Sequence, residues 1–348
     1  MMKKYVFLLT VLFSLFSCND NNKVLEVEHL ASQELIPDSM LRKPSEICLT
    51  DKNILISNLD LDTIIDVFDY KGNYINRFLP KGQGPKEALF VVHMQYDRKN
   101  NCVYAPDVRK NSLYCFSNIT NKPQIETIFK YECAPNDSVY LNNWWGKLAN
   151  NEIIAGNSSS GGMLAHFSAN GTFMDFHEPL PDKKATDERL SDWANGSLYT
   201  PTATVSPEGK KAAFVYSYAD ILTIAQLTPN GQLVTKSIRK QLPNDIEAIQ
   251  YGEHVVAGAI SPRTIMHYAS ITSTEKNIYA LHIGIPYKDL GGKKMHSSTI
   301  RVFDWEGNMC KIIKLDKPVQ EIKVTPDGKT LYAINESENG YSILRYEM

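Results

Sequence analysis

The residues best suited to chemistry are Glu46, His93, Gln95, Trp144, Trp145, Thr202, Tyr268, Ser270, Gln320 and Glu321, each set in a short strand-like run. Together they mix carboxylates, amides, hydroxyls and rings, as a binding surface for a polar organic ligand does. Side chains alternate along a strand, so only about half of them can face one opening. The alternative is that they satisfy one another around ordered channel water. Trp144 and Trp145 are adjacent and must point opposite ways. One ring then packs inside, and the other is free to stack on a sugar or an aromatic group.

Stronger catalytic signatures are absent. The eight His residues show neither H-E-x-x-H nor H-x-H spacing, so a histidine-rich metal site is not indicated. No G-x-S-x-G surrounds Ser158-Ser159-Ser160, which reads as a loop. The run Gly82-Gln83-Gly84-Pro85-Lys86-Glu87 lacks the G-K-[ST] ending of a phosphate loop. It reads instead as a tight turn in which Glu87 caps backbone amides. After Cys18, five cysteines remain (Cys48, Cys102, Cys115, Cys133 and Cys310) with no C-x-x-C pair, which speaks against a zinc knuckle. Cys48, Cys102 and Cys115 lie in apolar strand patterns, where a thiol packs as a small hydrophobe. A Cys102–Cys115 bridge between adjacent strands stays open. No basic stripe is present and the formal charge is −2, so nucleic acid is not expected as a partner.

The elements that must position these residues are strands. Helical periodicity is nearly absent, while short runs rich in Ile, Val, Tyr and Phe alternate with Gly, Asn, Asp and Pro. Apolar strands starting at Asn53, Asn101, Asn151, Lys211, Asn277 and Lys329 recur at blade-sized intervals. Tight polar turns precede them, most clearly Ser206-Pro207-Glu208-Gly209-Lys210 and Thr325-Pro326-Asp327-Gly328-Lys329. A second kind of turn closes hairpins, as in Phe68-Asp69-Tyr70-Lys71-Gly72-Asn73 and Phe303-Asp304-Trp305-Glu306-Gly307-Asn308. The pattern predicts an all-β fold, a six-bladed β-propeller of four-stranded antiparallel blades. The blades are expected over residues 42–80, 88–130, 138–180, 198–240 and 264–315, with the sixth starting near Val319. Pro181 to Asn195 and Gln241 to Gly258 read as excursions between blades. Blade 6 lacks a fourth strand, and Val24–Glu28 is expected to supply it beside Ser342–Tyr346. That closure removes two sheet edges and fits a monomer.

The Gly82–Glu87 loop, with the Phe68–Tyr74 hairpin before it, gives the chain its likeness. It resembles the TolB-like six-bladed propeller lipoproteins of Gram-negative anaerobes, whose first blade is followed by a G-x-G-P-x-E loop. The resemblance implies a fold and a compartment and carries no catalytic residues. The N-terminus agrees. Lys3 and Lys4 precede an apolar run from Tyr5 to Phe16 that is too short to span a bilayer. Leu15-Phe16-Ser17-Cys18 resembles the lipobox of bacterial lipoproteins, with Phe16 where a small residue is usual. Residues 1–17 then form a signal peptide, Cys18 is the lipidated residue, 18–23 are a tether and 24–348 the propeller. Without Lys3 and Lys4, the 37 basic residues fall to 35 against 39 acidic ones, a formal charge of −4.

The expected role is that of an exported outer-membrane lipoprotein of the cell envelope, facing the periplasm or the surface. It would act as a non-catalytic module binding an envelope protein, peptide or glycan, with no cofactor. The alternative is a metal-dependent hydrolase or lactonase with a divalent cation in the channel. Six-bladed lactonases hold such a cation with a Glu and several Asn or Asp residues, and Glu46, Asn143 and Asp220 are the candidates here. Oxygen ligands of that kind suit Ca2+.

Overall fold

The computed structural model describes residues 25–59, 62–91, 93–130, 141–157, 161–251, 254–291, 295–338 and 340–348. The expected signal peptide, Cys18, the tether, Cys133 and Ser158–Ser160 lie outside the described residues. Six sheets form the ring; in five the four blade strands follow one another in sequence, in the sixth the outermost place is taken by an N-terminal strand, and one of the five carries an extra edge strand. The blades run over residues 44–80, 95–130, 141–177, 201–241 and 265–319, and the sixth begins at residue 321. The innermost strands are Pro44–Leu49, Gln95–Asp97, Leu141–Lys147, Pro201–Val205, Ile265–Ser273 and Glu321–Val324. Neighbouring blades meet along these strands, which therefore surround the axis.

The apolar runs that recur in the sequence are the second strands of the blades. Asn53–Asn58 and Cys102–Asp107 are buried at every position. A second strand has sheet partners on both edges and neighbouring blades on both faces, so continuous apolar character suits it better than alternation. The fourth strands lie at the rim, and Gln124–Lys130 has no buried residue. The hairpin turns hold Gly72, Gly171, Gly231 and Gly307 at φ between 82° and 89°, the left-handed region that glycine enters freely.

The ring is closed by the N-terminal segment, as the incomplete sixth blade requires, but with a different stretch from the one expected. Ser32–Ile36 pairs antiparallel with Gly340–Glu347 and is the fourth strand of blade 6, with Ser32 opposite Tyr346 and Ile36 opposite Ile343. The run containing Val27 and Glu28 instead forms Glu26–Leu30, which pairs parallel with Met309–Val319 as a fifth strand on blade 5. The physical reason is reach. Ile36 lies only eight positions before Pro44, where blade 1 begins, so the nearer run must take the adjoining edge of blade 6. At the switch between the two sheets, the Ser32 amide and hydroxyl both donate to Asp316 Oδ2 at 3.0 Å.

The two excursions acquire structure. Residues 181–198 contain a short helix, Asp192–Ser197, capped by Ser191 Oγ accepting from the Ala194 amide. Leu190, Ala194, Leu198 and Tyr199 join the core between blades 3 and 4. The second excursion is a two-stranded hairpin, Ile246–Tyr251 with His254–Ile260. Among the described residues, no helix is long and apolar enough to cross a membrane.

Candidate functional site

The axis carries a buried charge cluster. Glu46 on blade 1 and Glu321 and Lys323 on blade 6 converge there, with Lys323 Nζ 3.5 Å from Glu321 Oε1 and 4.0 Å from Glu46 Oε1. Glu321 and Lys323 are two apart on one strand and so share a face. Glu46 Oε1 also accepts from the Met94 amide at 2.7 Å. Burial is the main force on Glu46 and pushes its pKa up to about 8; Lys323 opposes the rise and the Glu321 charge adds to it. Burial likewise raises Glu321 against the pull of Lys323. For Lys323 burial works downward, but the carboxylates of Glu321 and Glu46 outweigh it and hold the pKa above the usual lysine value. At neutral pH Glu46 is therefore largely protonated, and the Lys323 ammonium lies against Glu321, so the cluster pairs its own charged groups.

His93 lies beside this cluster with φ at 57°, and its ring meets Trp145 edge-on at 6.5 Å. Burial, followed by the Lys323 charge, takes its pKa well below the ordinary value, so it stays neutral. The Cys48 thiol is pushed up to about 12, first by burial and then by Glu46, which makes it unreactive. Gln95 locks blade 2 to blade 3: its Nε2 donates to Lys147 O at 2.9 Å and its Oε1 accepts from the Lys147 amide at 2.8 Å. Gln320 Nε2 donates to Pro44 O, tying blade 6 to blade 1. Ser270 Oγ and Thr272 Oγ1 accept from the Ile322 and Val324 amides, tying blade 5 to blade 6.

A cavity of about 120 Å³ opens at the C-terminal ends of the innermost strands, between His93, Gln95, Tyr96, Thr204, Ser273 and Lys323. Its mouth lies among the polar turns of the first kind, with Ser206, Pro207, Arg98 and Pro326 in its wall. A groove of about 350 Å³ between blades 1 and 2 shares Tyr96 and Arg98 with that mouth. There Arg98 Nε donates to Asp51 Oδ1 at 2.8 Å, and Tyr96 OH donates to Asn101 Oδ1 at 3.1 Å. Cavity and groove are neighbours on the turn face and share Tyr96 and Arg98 in their walls.

The structure divides the expected site residues. Glu46, His93 and Glu321 gather on the axis, Gln95 lines the cavity, and Gln320 and Ser270 tie neighbouring blades together. Trp145 is fully buried and is a packing residue, and the side chain of Trp144 lies outside those described. Thr202 is buried on its strand. Tyr268 belongs to a knot between blades 4 and 5. Its hydroxyl donates to Asp220 Oδ1 at 2.6 Å, and Arg301 Nη1 reaches Asp220 Oδ2 at 2.9 Å and the Tyr268 oxygen at 3.1 Å. Burial would raise Asp220, but Tyr268 and Arg301 outweigh it and hold its carboxyl below the usual range. Burial, followed by the charge on Arg301, takes His282 down to about 3. Asp220 is thus paired away from Glu46, and the side chain of Asn143 is not among those described, so the three candidate cation ligands do not form a described set. Of the residues that sequence reasoning passed over, Lys323 was within reach, because the Glu-Ile-Lys spacing puts it on the same face as Glu321. Arg301 was not, because its partner lies 81 positions away.

The Gly82–Glu87 loop behaves as expected. Glu87 Oε2 accepts from the Gly84 amide at 2.8 Å, and Lys110 Nζ donates to the carbonyls of Gly84 and Glu87 at 2.8 Å each. A Cβ on Gly82 would stand 2.1 Å from that carboxylate, so a side chain there would push Glu87 aside. Cys102 and Cys115 lie diagonally on adjacent strands of blade 2, and both are free thiols.

Fold and axis define a six-bladed β-propeller whose inward carboxylates are matched by a lysine of the same ring. The chain belongs to the TolB-like 6-blade propeller-like family, which matches residues 19–327. Solved structures share the architecture at low identity. A Bacteroides fragilis protein provisionally described as exported is 12% identical, with a TM-score of 0.53, over 92% of this chain and 98% of that one. A DUF4221 family member from Bacteroides vulgatus is 10% identical, with a TM-score of 0.57, over 93% and 97%. Chaetomium thermophilum Raptor is 12% identical, with a TM-score of 0.50, over 91% of this chain and 28% of its own length. No curated protein matches the sequence at a significant level.

Proposed function

We propose that the protein is exported, held at the membrane by lipid on Cys18, and works as a non-catalytic module. It recognises an envelope protein, or a peptide or glycan presented there, with the turn face of its propeller. The observation that carries this reading is the size and floor of the axial cavity. About 120 Å³ is well below the roughly 300–1,000 Å³ of small-molecule pockets and accepts a side chain or a few waters. Among the described residues its depth holds no activated nucleophile: Cys48 stays a thiol, His93 is neutral, and Glu46 and Glu321 pair with Lys323. What fits is a protruding side chain of a larger partner whose remaining surface lies in the groove past Tyr96 and Arg98. The hydrolase reading needs a divalent cation where Lys323 already places its ammonium, and for that reason it is the weaker one.

The test uses the chain carrying Cys18→Ala, immobilised and exposed to solubilised envelope proteins, beside the same chain with Tyr96→Ala and Arg98→Glu. The expected result is a retained partner that the double variant loses at least tenfold. Equal retention by both would overturn the assignment of the turn face. Hydrolysis of lactone or ester substrates that depends on added Ca2+ and is abolished by Glu46→Gln would overturn the non-catalytic reading.

A further inference from the structure

A second cluster of polar side chains lies far from the axis, on blade 3, and the axial site makes no use of it. His166 stands on the third strand, Leu164–Phe167, directly opposite Asp175 on the fourth, Phe173–His177. Asp175 and His177 are two apart on that strand and share its face. His166 Nδ1 is 3.0 Å from Asp175 Oδ1, and His177 Nε2 is 3.3 Å from the same oxygen. One ligand atom from each residue lies within 4.8 Å of the other two. On the far side of the imidazole, His166 Nε2 is 3.1 Å from Glu152 Oε2.

Three features set this group apart from an ordinary surface ion pair. First, a tetrahedral ion with bonds of about 2.0–2.1 Å needs ligand atoms roughly 3.3 Å apart, close to the 3.0 and 3.3 Å that separate Asp175 Oδ1 from the two imidazole nitrogens. Second, His177 Nε2 is shielded from solvent and makes no hydrogen bond, although the Asp175 oxygen is near enough for one. Asp175 therefore does not satisfy this nitrogen, which stays available to a ligand. Third, Glu152 is placed to accept the Nε2 proton of His166, which leaves the Nδ1 lone pair facing Asp175 Oδ1. Two lone pairs at 3.0 Å repel unless a proton or a cation lies between them. A carboxylate behind a ligating imidazole is the usual outer partner of a metal-bound histidine.

The knot between blades 4 and 5 also brings a carboxylate and two histidines together, Asp220 with His267 and His282. There Tyr268 and Arg301 occupy both Asp220 oxygens, and the guanidinium supplies the positive charge itself. No lysine or arginine has an ion pair with the blade 3 group among the described residues.

We propose that His166 Nδ1, Asp175 Oδ1 and His177 Nε2 bind a divalent transition-metal ion of the zinc class, with Glu152 orienting His166. Imidazole nitrogens select such an ion over Mg2+ or Ca2+, which prefer all-oxygen shells. The ion joins the third and fourth strands of blade 3. Three protein ligands leave one position open, on the side where Asp175 is 58% exposed, for water or for an acidic group of a partner.

The test is metal binding by the full chain purified in detergent, measured by competition with a chromogenic chelator and by the visible spectrum after Co2+ loading. One equivalent of Zn2+ is expected, with a tetrahedral Co2+ spectrum and no response to Mg2+. Asp175→Asn and His177→Ala lie at the rim and leave the core intact; each is expected to weaken Zn2+ at least tenfold. Glu152→Gln is expected to weaken it about 10- to 100-fold, and His29→Ala, an exposed histidine elsewhere, not at all. Failure of the native chain to bind Zn2+, or affinity unchanged in both Asp175→Asn and His177→Ala, would overturn the proposal.

Discussion

Glu46 carries the clearest consequence at the scale of one residue. Its pKa is raised from the ordinary 4.5 to about 8, so the folded state keeps a proton that the unfolded chain has lost. Stability from this source is complete below pH 4.5 and is lost as pH rises through about 8. The buried histidines act in the opposite direction. His93, His267 and His282 are all lowered, by burial first, so their contribution is present above pH 6.5 and is lost as pH falls below it. The melting temperature is expected to peak on the mildly acidic side of neutrality, and Glu46→Gln is expected to flatten its decline on the alkaline side. Thermal melts of both proteins across that range measure this; parallel alkaline slopes would show that Glu46 is already ionised in the fold. A second residue-scale expectation concerns the Gly82 loop. Gly82→Ala displaces the Glu87 carboxylate from the Gly84 amide and should cost about 1–3 kcal/mol. An unchanged urea midpoint would contradict it. The capping role of Glu87 was legible because glycines at 82 and 84 leave room for a folded-back carboxylate three positions on. The neutrality of His93 was not, because it depends on burial within the ring and on Lys323 arriving from another blade.

At the scale of elements, the closing strand decides the outcome. Ile36 is fully buried beside Ile343, Ile334 and Ile47, whereas Val27 on the extra strand of blade 5 is 49% exposed. Ile36→Ala is expected to cost about 2–4 kcal/mol, and Val27→Ala no more than about 0.5 kcal/mol. Denaturant unfolding of the two variants checks this, and similar losses in both would mean that the two strands close the ring jointly. The sequence showed that a strand from the N-terminus must complete blade 6, because the chain ends one strand short. It pointed to Val24–Glu28, where apolar and acidic residues alternate, and not to Ser32–Ile36, whose Ser-Gln-Glu-Leu-Ile run does not alternate. The choice rests on the short link to Pro44, a constraint on distance that strand periodicity does not encode. The blades themselves were readable to within about seven residues at their ends. Second strands are apolar along most of their length, and the turns on either side of them use Pro, Asn and Gly for definite backbone reasons. The metal ligands on blade 3 escaped notice because their spacing, H-x8-D-x-H, becomes a cluster only once the third and fourth strands are in register.

At the scale of the whole molecule, the ring is a rigid carrier for one polar face. Six similar sheets joined through their innermost strands leave little scope for large internal motion. In the proposed role, recognition would depend on preformed turns, which avoids the cost of ordering a loop on binding. Attachment through Cys18 would hold that face near the membrane by a tether of a few residues. Cys18→Ala is expected to move the protein from the membrane fraction to the soluble one, and continued sedimentation with membranes would rule out lipid on that residue.

The turn face is tested most directly in living cells by a photo-cross-linking residue placed at Arg98, with the same residue at Val234 for comparison. Val234 is 48% exposed on the outer strand of blade 4 and stands away from both cavity and groove. The expected result is a defined adduct with one envelope component from position 98 and none from position 234. Identical adducts from both positions, or none from position 98, would contradict recognition by this face.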